Sequence, residues 1–442
     1  MTSPDGTTFP TPGEPTAPGE PTTPGDLSTA KKSVPQEPTA LQDPTVPGDL
    51  STAKESVPEE PTVLQEPMML QETTALQDPL TTGTARPWVL HVDLDQFIAA
   101  VEVLRHPELA GRPVVIGGRG DPTERAVVST ASYEARAFGV GSGMPMKIAA
   151  RKLPDAVFLP VDAAAYEAAS AVVMATLREQ PGVVVEVLGW DEAFLGVVTD
   201  DPESVARRVQ AAVLAATGLH CSVGIGDNKV RAKIATGFGK PAGSYRLTAD
   251  TWFPVMGERP TRELWGVGAK VSARLAGLGV RTVAELAAHP EAGLVAEFGP
   301  RMGPWYGGLG RGDGPGVVDD SPWVARGHSH ETTYQQNLTT PEQVAEAIRV
   351  LAAAVAEDTE AEERPVVRLT LKVRYAPFVT KVYGGKLPEP TRDRDTVIAA
   401  ALDLAVHRIE PGREVRLLGV RAEMALPTPT DPETRTPVRG RW

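Results

Sequence analysis

The chain has 442 residues, room for about two to four domains, and its 41% apolar and 23% charged content is ordinary globular chemistry. No run approaches the roughly 18 to 20 apolar residues of a membrane helix, and the N-terminus offers acids and prolines where a signal peptide needs positive charge and an apolar run. With Cys221 as the single cysteine, these features point to a soluble cytoplasmic protein without membrane contact.

The net charge of −13 argues against nucleic acid only until it is divided. Residues 1–84 carry 13 acids and 3 bases, whereas 85–442 carries 44 acids and 41 bases. The body is near neutral, and a local basic face is possible. The first 84 residues also hold 15 of the 42 prolines, one Phe, and no Trp or Tyr. Within them Thr23-Pro-Gly-Asp-Leu-Ser-Thr-Ala-Lys31 recurs as Val46-Pro-Gly-Asp-Leu-Ser-Thr-Ala-Lys54, a period of 23. Two copies with a proline every few residues cannot bury a core, so residues 1–84 read as a disordered tail.

Order is expected from Arg86. Trp88-Val-Leu-His-Val92 is an apolar run that reads as a buried strand. It leads into Asp93-Leu94-Asp95 and then a helical pattern from Gln96 to Glu102. Two carboxylates at the end of a core strand suit a hard cation, although Asp-x-Asp also caps helices. Farther on, Gly182 to Leu188 and Gly189 to Val198 read as two strands, with Asp191-Glu192 between their apolar stretches. Adjacent carboxylates there are costly without a neutralising cation, unless they sit on a solvated hairpin tip. Between the two acidic sites, Arg125 to Gly139 reads as a strand running into a helix, with Tyr133 and Arg136 on one helical face. Gly141 to Pro145 breaks the chain before another helix. Asn228-Lys229-Val-Arg231-Ala-Lys233 opens a basic helix closed by Gly237 to Gly243.

Five motifs in order carry a resemblance: His91-Val-Asp-Leu-Asp95, Ser129-Thr-Ala-Ser-Tyr-Glu-Ala-Arg-Ala-Phe-Gly-Val140, Asp191-Glu-Ala-Phe194, Ala232-Lys-Ile-Ala235 and Lys240-Pro-Ala-Gly243. Together they resemble the Y-family translesion DNA polymerases, DinB or polymerase IV branch, over about residues 86 to 425. The resemblance implies an α/β right-hand architecture. Palm and fingers would occupy 85–250, with the fingers at about 100–160. A helical thumb would follow at 251–312, a linker at 313–324, a little finger at 325–428 and a C-terminal tail at 429–442. It also implies template-directed, low-fidelity nucleotide addition to a primer 3′-hydroxyl without proofreading. Asp93, Asp191, Glu192 and the Leu94 carbonyl would hold two Mg²⁺, with Mn²⁺ able to take the same places. Thr130, Tyr133, Arg136 and Lys240 match positions that grip the β- and γ-phosphates. Asp95 is left to cap the helix from Gln96.

In the thumb, Leu264-Trp-Gly-Val-Gly-Ala-Lys-Val-Ser-Ala-Arg-Leu275 resembles a helix-hairpin-helix. Gly266 and Gly268 would present backbone N–H groups to a DNA phosphate, with Lys270 and Arg274 adding charge. The C-terminal part reads strand, helix, two strands, helix, strand, with helices at Pro341–Glu360 and Asp395–Glu410. Arg368, Lys372 and Arg374 alternate along Val366–Tyr375 and make one face basic, suited to DNA backbone. Gly117, Gly118 and Ser129 suggest a loose roof over the nascent pair. The partners implied are primer-template DNA and deoxynucleotides, handled by a monomer. The C-terminus has no Gln followed by an aliphatic-aromatic anchor, so binding to a sliding clamp through it is not expected.

The chain departs from the family twice. Gly189-Trp190 replaces the usual Ser-Leu before Asp191. The two aromatics that usually follow Asp-x-Asp are here Phe97-Ile98, so the position that excludes a ribose 2′-hydroxyl is Ile98, and ribonucleotide use is expected. Two rival readings are a non-catalytic DNA-binding scaffold and a nucleotidyl cyclase. The acidic triad speaks against the first, and the thumb hairpin and basic C-terminal sheet speak against the second.

Overall fold

The computed structural model describes residues 85–427, so the readings of 1–84 and 429–442 fall outside the described residues. The first layer is a five-stranded sheet. In chain order its region contains β1 (Arg86–Leu94), α1 (Phe97–Arg105), β2 (Val114–Ile116), β3 (Thr130–Ala131), α2 (Tyr133–Arg136), α3 (Met146–Lys152), β4 (Val157–Leu159), α4 (Ala163–Arg178), β5 (Val184–Val187), β6 (Glu192–Thr199), α5 (Pro202–Thr217), β7 (Cys221–Gly226), α6 (Lys229–Gly239) and β8 (Ser244–Leu247). The main sheet runs β5-β6-β1-β7-β8, while β3-β2-β4 form a separate small sheet.

Strand β1 is central, which explains its unbroken apolar run. Leu90, Val92 and Leu94 face the core shared with Tyr166 and Val173 of α4 and Val205 and Val209 of α5. Val89 faces the opposite way, against Phe194 and Ala232 of α6. Helix α6 lies so close to β7 that a Cβ on Gly224 would sit 2.0 Å from the Ala232 carbonyl oxygen. Any side chain there would lift the helix off the sheet.

Gly117 is used in the same way. It is buried, and a Cβ would lie 2.4 Å from the Val127 carbonyl oxygen. Its smallness therefore lets the 126–128 segment close on β2, rather than leaving room over a base pair. Gly118 and Ser129 are exposed.

The chain continues through α7 (Ala249–Met256), α8 (Ala269–Gly277), α9 (Val283–Ala288) and α10 (Glu291–Gly310), the last broken at Gly299, where φ is 85°. Trp252, Leu264, Leu275, Leu286 and Leu309 form their core, and the Trp252 indole donates to the Gly310 carbonyl at 2.8 Å. Residues 313–324 contain no helix or strand. Part of this stretch is nonetheless strapped to the first layer. Lys229 N–H donates to the Pro315 carbonyl, and Asp319 N–H donates to Glu186, each at 2.9 Å. Glu186 in turn pairs with Lys229 at 2.5 Å, both side chains being at most 10% exposed.

Removing one partner of such a buried pair leaves an uncompensated charge. We therefore expect Glu186→Ala to cost about 3 to 5 kcal/mol of unfolding free energy. A Glu186→Leu, Lys229→Met double variant should lose much less, and denaturant titration of both checks this.

The last domain contains β9 (Gly327–Leu338), α11 (Pro341–Glu360), β10 (Val366–Tyr375), β11 (Val379–Thr391), α12 (Arg394–Arg408) and β12 (Val415–Met424). The antiparallel sheet runs β11-β10-β12-β9. Both helices cover one face, where Ile348, Val355, Val397 and Ala401 meet Leu369, Leu371 and Val373. Thr340 and Gln343 form a capping box and Pro341 takes the first helical position, which fixes where α11 begins. Arg125 reaches this domain from the β2–β3 connection, donating to the Tyr334 carbonyl at 3.1 Å and to Asn337 at 2.6 Å.

Candidate active site

Strand pairing alone brings the two acidic motifs together. Asp93 on β1 and Glu192 on β6 are direct partners in the antiparallel register. Asp191 precedes β6, and its carbonyl accepts the Leu94 N–H at 2.9 Å. One end of two neighbouring central strands thus presents three carboxylates.

Their surroundings differ. Asp93 is ion-paired with Lys240, and Glu192 with Lys233. The buried His91 lies two residues before Asp93 on the same strand face. Its Nδ1 is 2.8 Å from Thr236 Oγ1 and its Nε2 is 3.2 Å from Glu192 Oε2. Burial pushes the His91 pKa down. Burial would raise Glu192, but the His91 hydrogen bond and the Lys233 charge outweigh it and hold the pKa at about 2. Asp191 moves the other way. Burial raises its pKa, and the like charges of Asp93 and Glu192 add to the rise.

One donor atom each from His91, Asp93 and Glu192 fall within 4.8 Å of one another. With Asp191 alongside, the donor set is chiefly carboxylate oxygen, which fits a hard divalent cation such as Mg²⁺ or Mn²⁺.

Asp95 does not cap the helix. Helix α1 starts at Phe97, its N-cap is Gln96 at φ 43°, and no side chain caps it. Asp95 is buried and needs several donors. It takes the Tyr133 hydroxyl at 2.9 Å, the Ser222 hydroxyl at 2.9 Å and the Ala242 N–H at 2.7 Å. Gln96 Oε1 accepts the Tyr133 N–H at 2.5 Å. Asp95 and Gln96 therefore hold two segments in place, one carrying Tyr133 and Arg136, the other following Lys240.

Burial and the Asp95 hydrogen bond raise the Tyr133 pKa, so its hydroxyl stays protonated. Arg136 lies 5.2 Å from the centre of the Tyr133 ring and donates through Nε to the Ala131 carbonyl at 2.9 Å. Thr130 opens β3 and is half-buried. Lys240 follows directly on α6. Cys221 is buried below the site, and burial, with Asp95 and Asp93 adding to it, pushes its thiol up to about 12. That thiol is inert rather than nucleophilic.

Sequence reading did not single out the network of His91, Thr236 and Lys233, nor the role of Ser222. The available signals were the strand period, which puts His91 and Asp93 on one face, and the Ala232-Lys-Ile-Ala235 motif. The Lys233 ammonium also lies 5.4 Å from the ring centre of Trp265, linking the carboxylate site to the hairpin.

Among the expected DNA contacts, Gly266 has φ 87° and a Cβ there would meet Trp305 at 2.7 Å, so glycine is required twice over. Gly268 is the N-cap of α8, and Lys270 is exposed on it. Arg274 is engaged inside the same domain, bonded to Glu297 at 2.6 Å with its guanidinium 4.4 Å from the Phe298 ring centre. On β10, Lys372 pairs with Glu331 at 2.5 Å, Arg368 lies 3.8 Å from Glu423, and Arg374 donates to Thr380 at 2.9 Å. Lys386 and Arg421 sit beside Arg368 and Thr370 in the register, so the face keeps a basic excess.

Two family profiles cover most of the folded body. Residues 92–237 match the profile of the impB/mucB/samB family and residues 325–434 that of its C-terminal domain. The chain is 51% identical over 351 residues to DNA polymerase IV 2 of Mycobacterium tuberculosis, covering 77% of this chain and 99% of that protein. It is 38% identical to DNA polymerase IV of Methanoculleus marisnigri, covering 78% of this chain and 96% of that one. A "Y-family DNA polymerase chimera Dbh-Dpo4(243-245)-Dbh" superposes with a TM-score of 0.66 at 23% identity, over 76% of this chain and 98% of its own. The "Insertion ternary complex of Dbh DNA polymerase" gives 0.54 at 24%, over 77% of this chain and 100% of its own, and both likenesses speak for the fold. The chain belongs to the DinB-type, polymerase IV branch of the Y-family DNA polymerases.

Proposed function

We propose that Asp93, Asp191 and Glu192, with the Leu94 carbonyl, hold the metal ions with which this template-directed translesion DNA polymerase extends a primer. The observation that supports this most is the register that makes Asp93 and Glu192 partners on central strands, with Asp191 beside them. Two such ions would lower the pKa of the primer 3′-hydroxyl and neutralise the leaving pyrophosphate. The chain's own groups do the positioning. Arg136, Thr130 and Lys240 would donate to the nucleotide triphosphate, with Tyr133 beside them and its hydroxyl proton given to Asp95; Asp95 and Gln96 fix the segments that carry these groups. His91 and Lys233 hold the Glu192 carboxylate in one orientation.

Primer-template DNA would run between thumb and little finger, with the α8 N-terminus and Lys270 on one side and the basic face of β10 on the other. These contacts read the backbone and not the sequence, as lesion bypass demands. A primer-extension gel with Mg²⁺ and all four deoxynucleotides tests the whole reading.

The catalytic machinery assigned here lies entirely within residues 93–374, so the N-terminal repeats are not needed for chemistry. A chain beginning at Thr84 should extend primers at an unchanged single-turnover rate; a large fall would place the tail in the active enzyme. We assign the protein to the cytoplasm as a monomer on DNA. Among the described residues no helix is long and apolar enough to cross a membrane. At the sugar pocket we assign the gate to Ile98 and infer that ribonucleotides enter alongside deoxynucleotides.

A further inference from the structure

A second cluster of ligating side chains lies in the little finger. His328 and His330 sit two apart on edge strand β9; both contact Asp358 at the end of α11, and His328 also contacts Glu362 in the turn after it. His330 Nε2 is 2.8 Å from Asp358 Oδ2, and His328 Nδ1 is 3.9 Å from the same oxygen. The other nitrogen of His328, Nε2, is 3.2 Å from Glu362 Oε1. Glu362 is held in turn by Arg364 at 2.8 Å, and Arg364 also donates to the Ala325 carbonyl at 2.5 Å. The four side chains of His328, His330, Asp358 and Glu362 are between 27% and 42% exposed, so an ion can reach them from solvent.

We propose that His328 Nδ1, His330 Nε2 and the Asp358 carboxylate form a three-ligand site for a borderline transition metal of the Zn²⁺ class. Three features support it. First, one carboxylate oxygen already lies between two imidazole nitrogens from different ring positions. Bonds of about 2.0 to 2.2 Å set donor atoms about 3.3 Å apart, and the distances of 2.8 and 3.9 Å bracket that value. The imidazoles must turn toward each other to complete the set, a motion open to half-exposed side chains at a strand edge.

Second, Glu362 stands where an outer carboxylate belongs. By accepting the His328 Nε2 proton it fixes the tautomer that leaves Nδ1 free to bind a metal, and Arg364 fixes Glu362. A purely electrostatic surface pairing has no need of that second layer. Third, two nitrogens and one oxygen favour Zn²⁺, Co²⁺ or Ni²⁺ over Mg²⁺, which separates this site from the oxygen-rich catalytic one. A bound ion would tie the start of β9 to the end of α11, close to Ala325, where the chain enters the domain.

The test uses full-length, untagged protein stripped with chelator. Zn²⁺ binding is measured calorimetrically, and Co²⁺ is used as an absorbing probe of coordination. To silence the palm, both are repeated in an Asp93→Ala, Asp191→Ala, Glu192→Ala background. One equivalent should remain in that background, be lost in His328→Ala and in His330→Ala, and weaken by about 10- to 100-fold in Glu362→Gln. Primer extension with Mg²⁺ by His328→Ala, at wild-type rate, shows that this variant is folded. Absence of the equivalent from the palm-silenced protein overturns the proposal, as does an equivalent that survives loss of both histidines.

Discussion

Asp191→Ala is expected to reduce single-turnover nucleotide addition by about 10³-fold or more, at least about 4 kcal/mol of transition-state stabilisation. The scaffold should survive the change. The Asp191 contact that organises the strand ends is its backbone carbonyl, bonded to Leu94, and alanine keeps it. What disappears is the carboxylate. Burial and the neighbouring charges of Asp93 and Glu192 make that carboxylate costly in the protein, and a divalent cation bound there would relieve the cost. Two-metal phosphoryl transfer requires a ligand that both ions can share or approach, and no lysine substitutes for it. DNA affinity should stay within a few fold, because the groups proposed to contact the DNA backbone lie in the thumb and little finger. Quench-flow extension paired with fluorescence anisotropy on the same primer-template separates the two effects. Extension near the wild-type rate would remove Asp191 from the metal site, and a parallel collapse of DNA binding would point to misfolding instead.

Local pattern carried much of the architecture. The limits read for one little-finger strand, Val366–Tyr375, and one helix, Pro341–Glu360, coincide with β10 and α11. Alternation with period 2 and a Thr-Pro helix start are local signals, and local signals survive folding. What escaped was long-range. Asp95 serves Tyr133, Ser222 and Ala242, up to 147 residues away, and nothing in its own neighbourhood announces that. The same holds for Lys229 reaching Glu186 and for the strapping of Asp319. Gly117 read as open space because a missing side chain looks like room until the Val127 carbonyl is seen to fill it. The basicity of β10 was legible as alternation, but its partial neutralisation by Glu331 and Glu423 depends on strand register, which the sequence pattern does not reveal.

Ile98→Phe is expected to raise discrimination against ribonucleotides by about 10- to 200-fold, corresponding to about 1 to 3 kcal/mol. The two residues after Gln96 have opposite fates. Phe97 is 4% exposed and belongs to the core beneath the main sheet, so its ring is committed to packing. Ile98 is only partly buried and packs where that core meets the one around Val114 and Ile116. The left-handed turn at Gln96, held by its bond to the Tyr133 backbone, sets this division at the start of α1. Ile98 therefore lies two residues after Gln96, whose side chain holds the segment proposed to grip the triphosphate. An isoleucine there is narrower than an aromatic ring and presents no flat wall to a sugar. A pocket rejects an added hydroxyl strongly only when something is built against it. The wild-type enzyme should accordingly insert ribonucleotides nearly as well as deoxynucleotides, and the phenylalanine variant should lose ribonucleotide insertion while keeping most of its deoxynucleotide rate. Steady-state insertion of each, opposite the same template base, gives the ratio directly. Strong discrimination in the wild type, unchanged in Ile98→Phe, would move the gate away from this position; with Phe97 committed to the core, the backbone near Tyr133 would then have to exclude the hydroxyl.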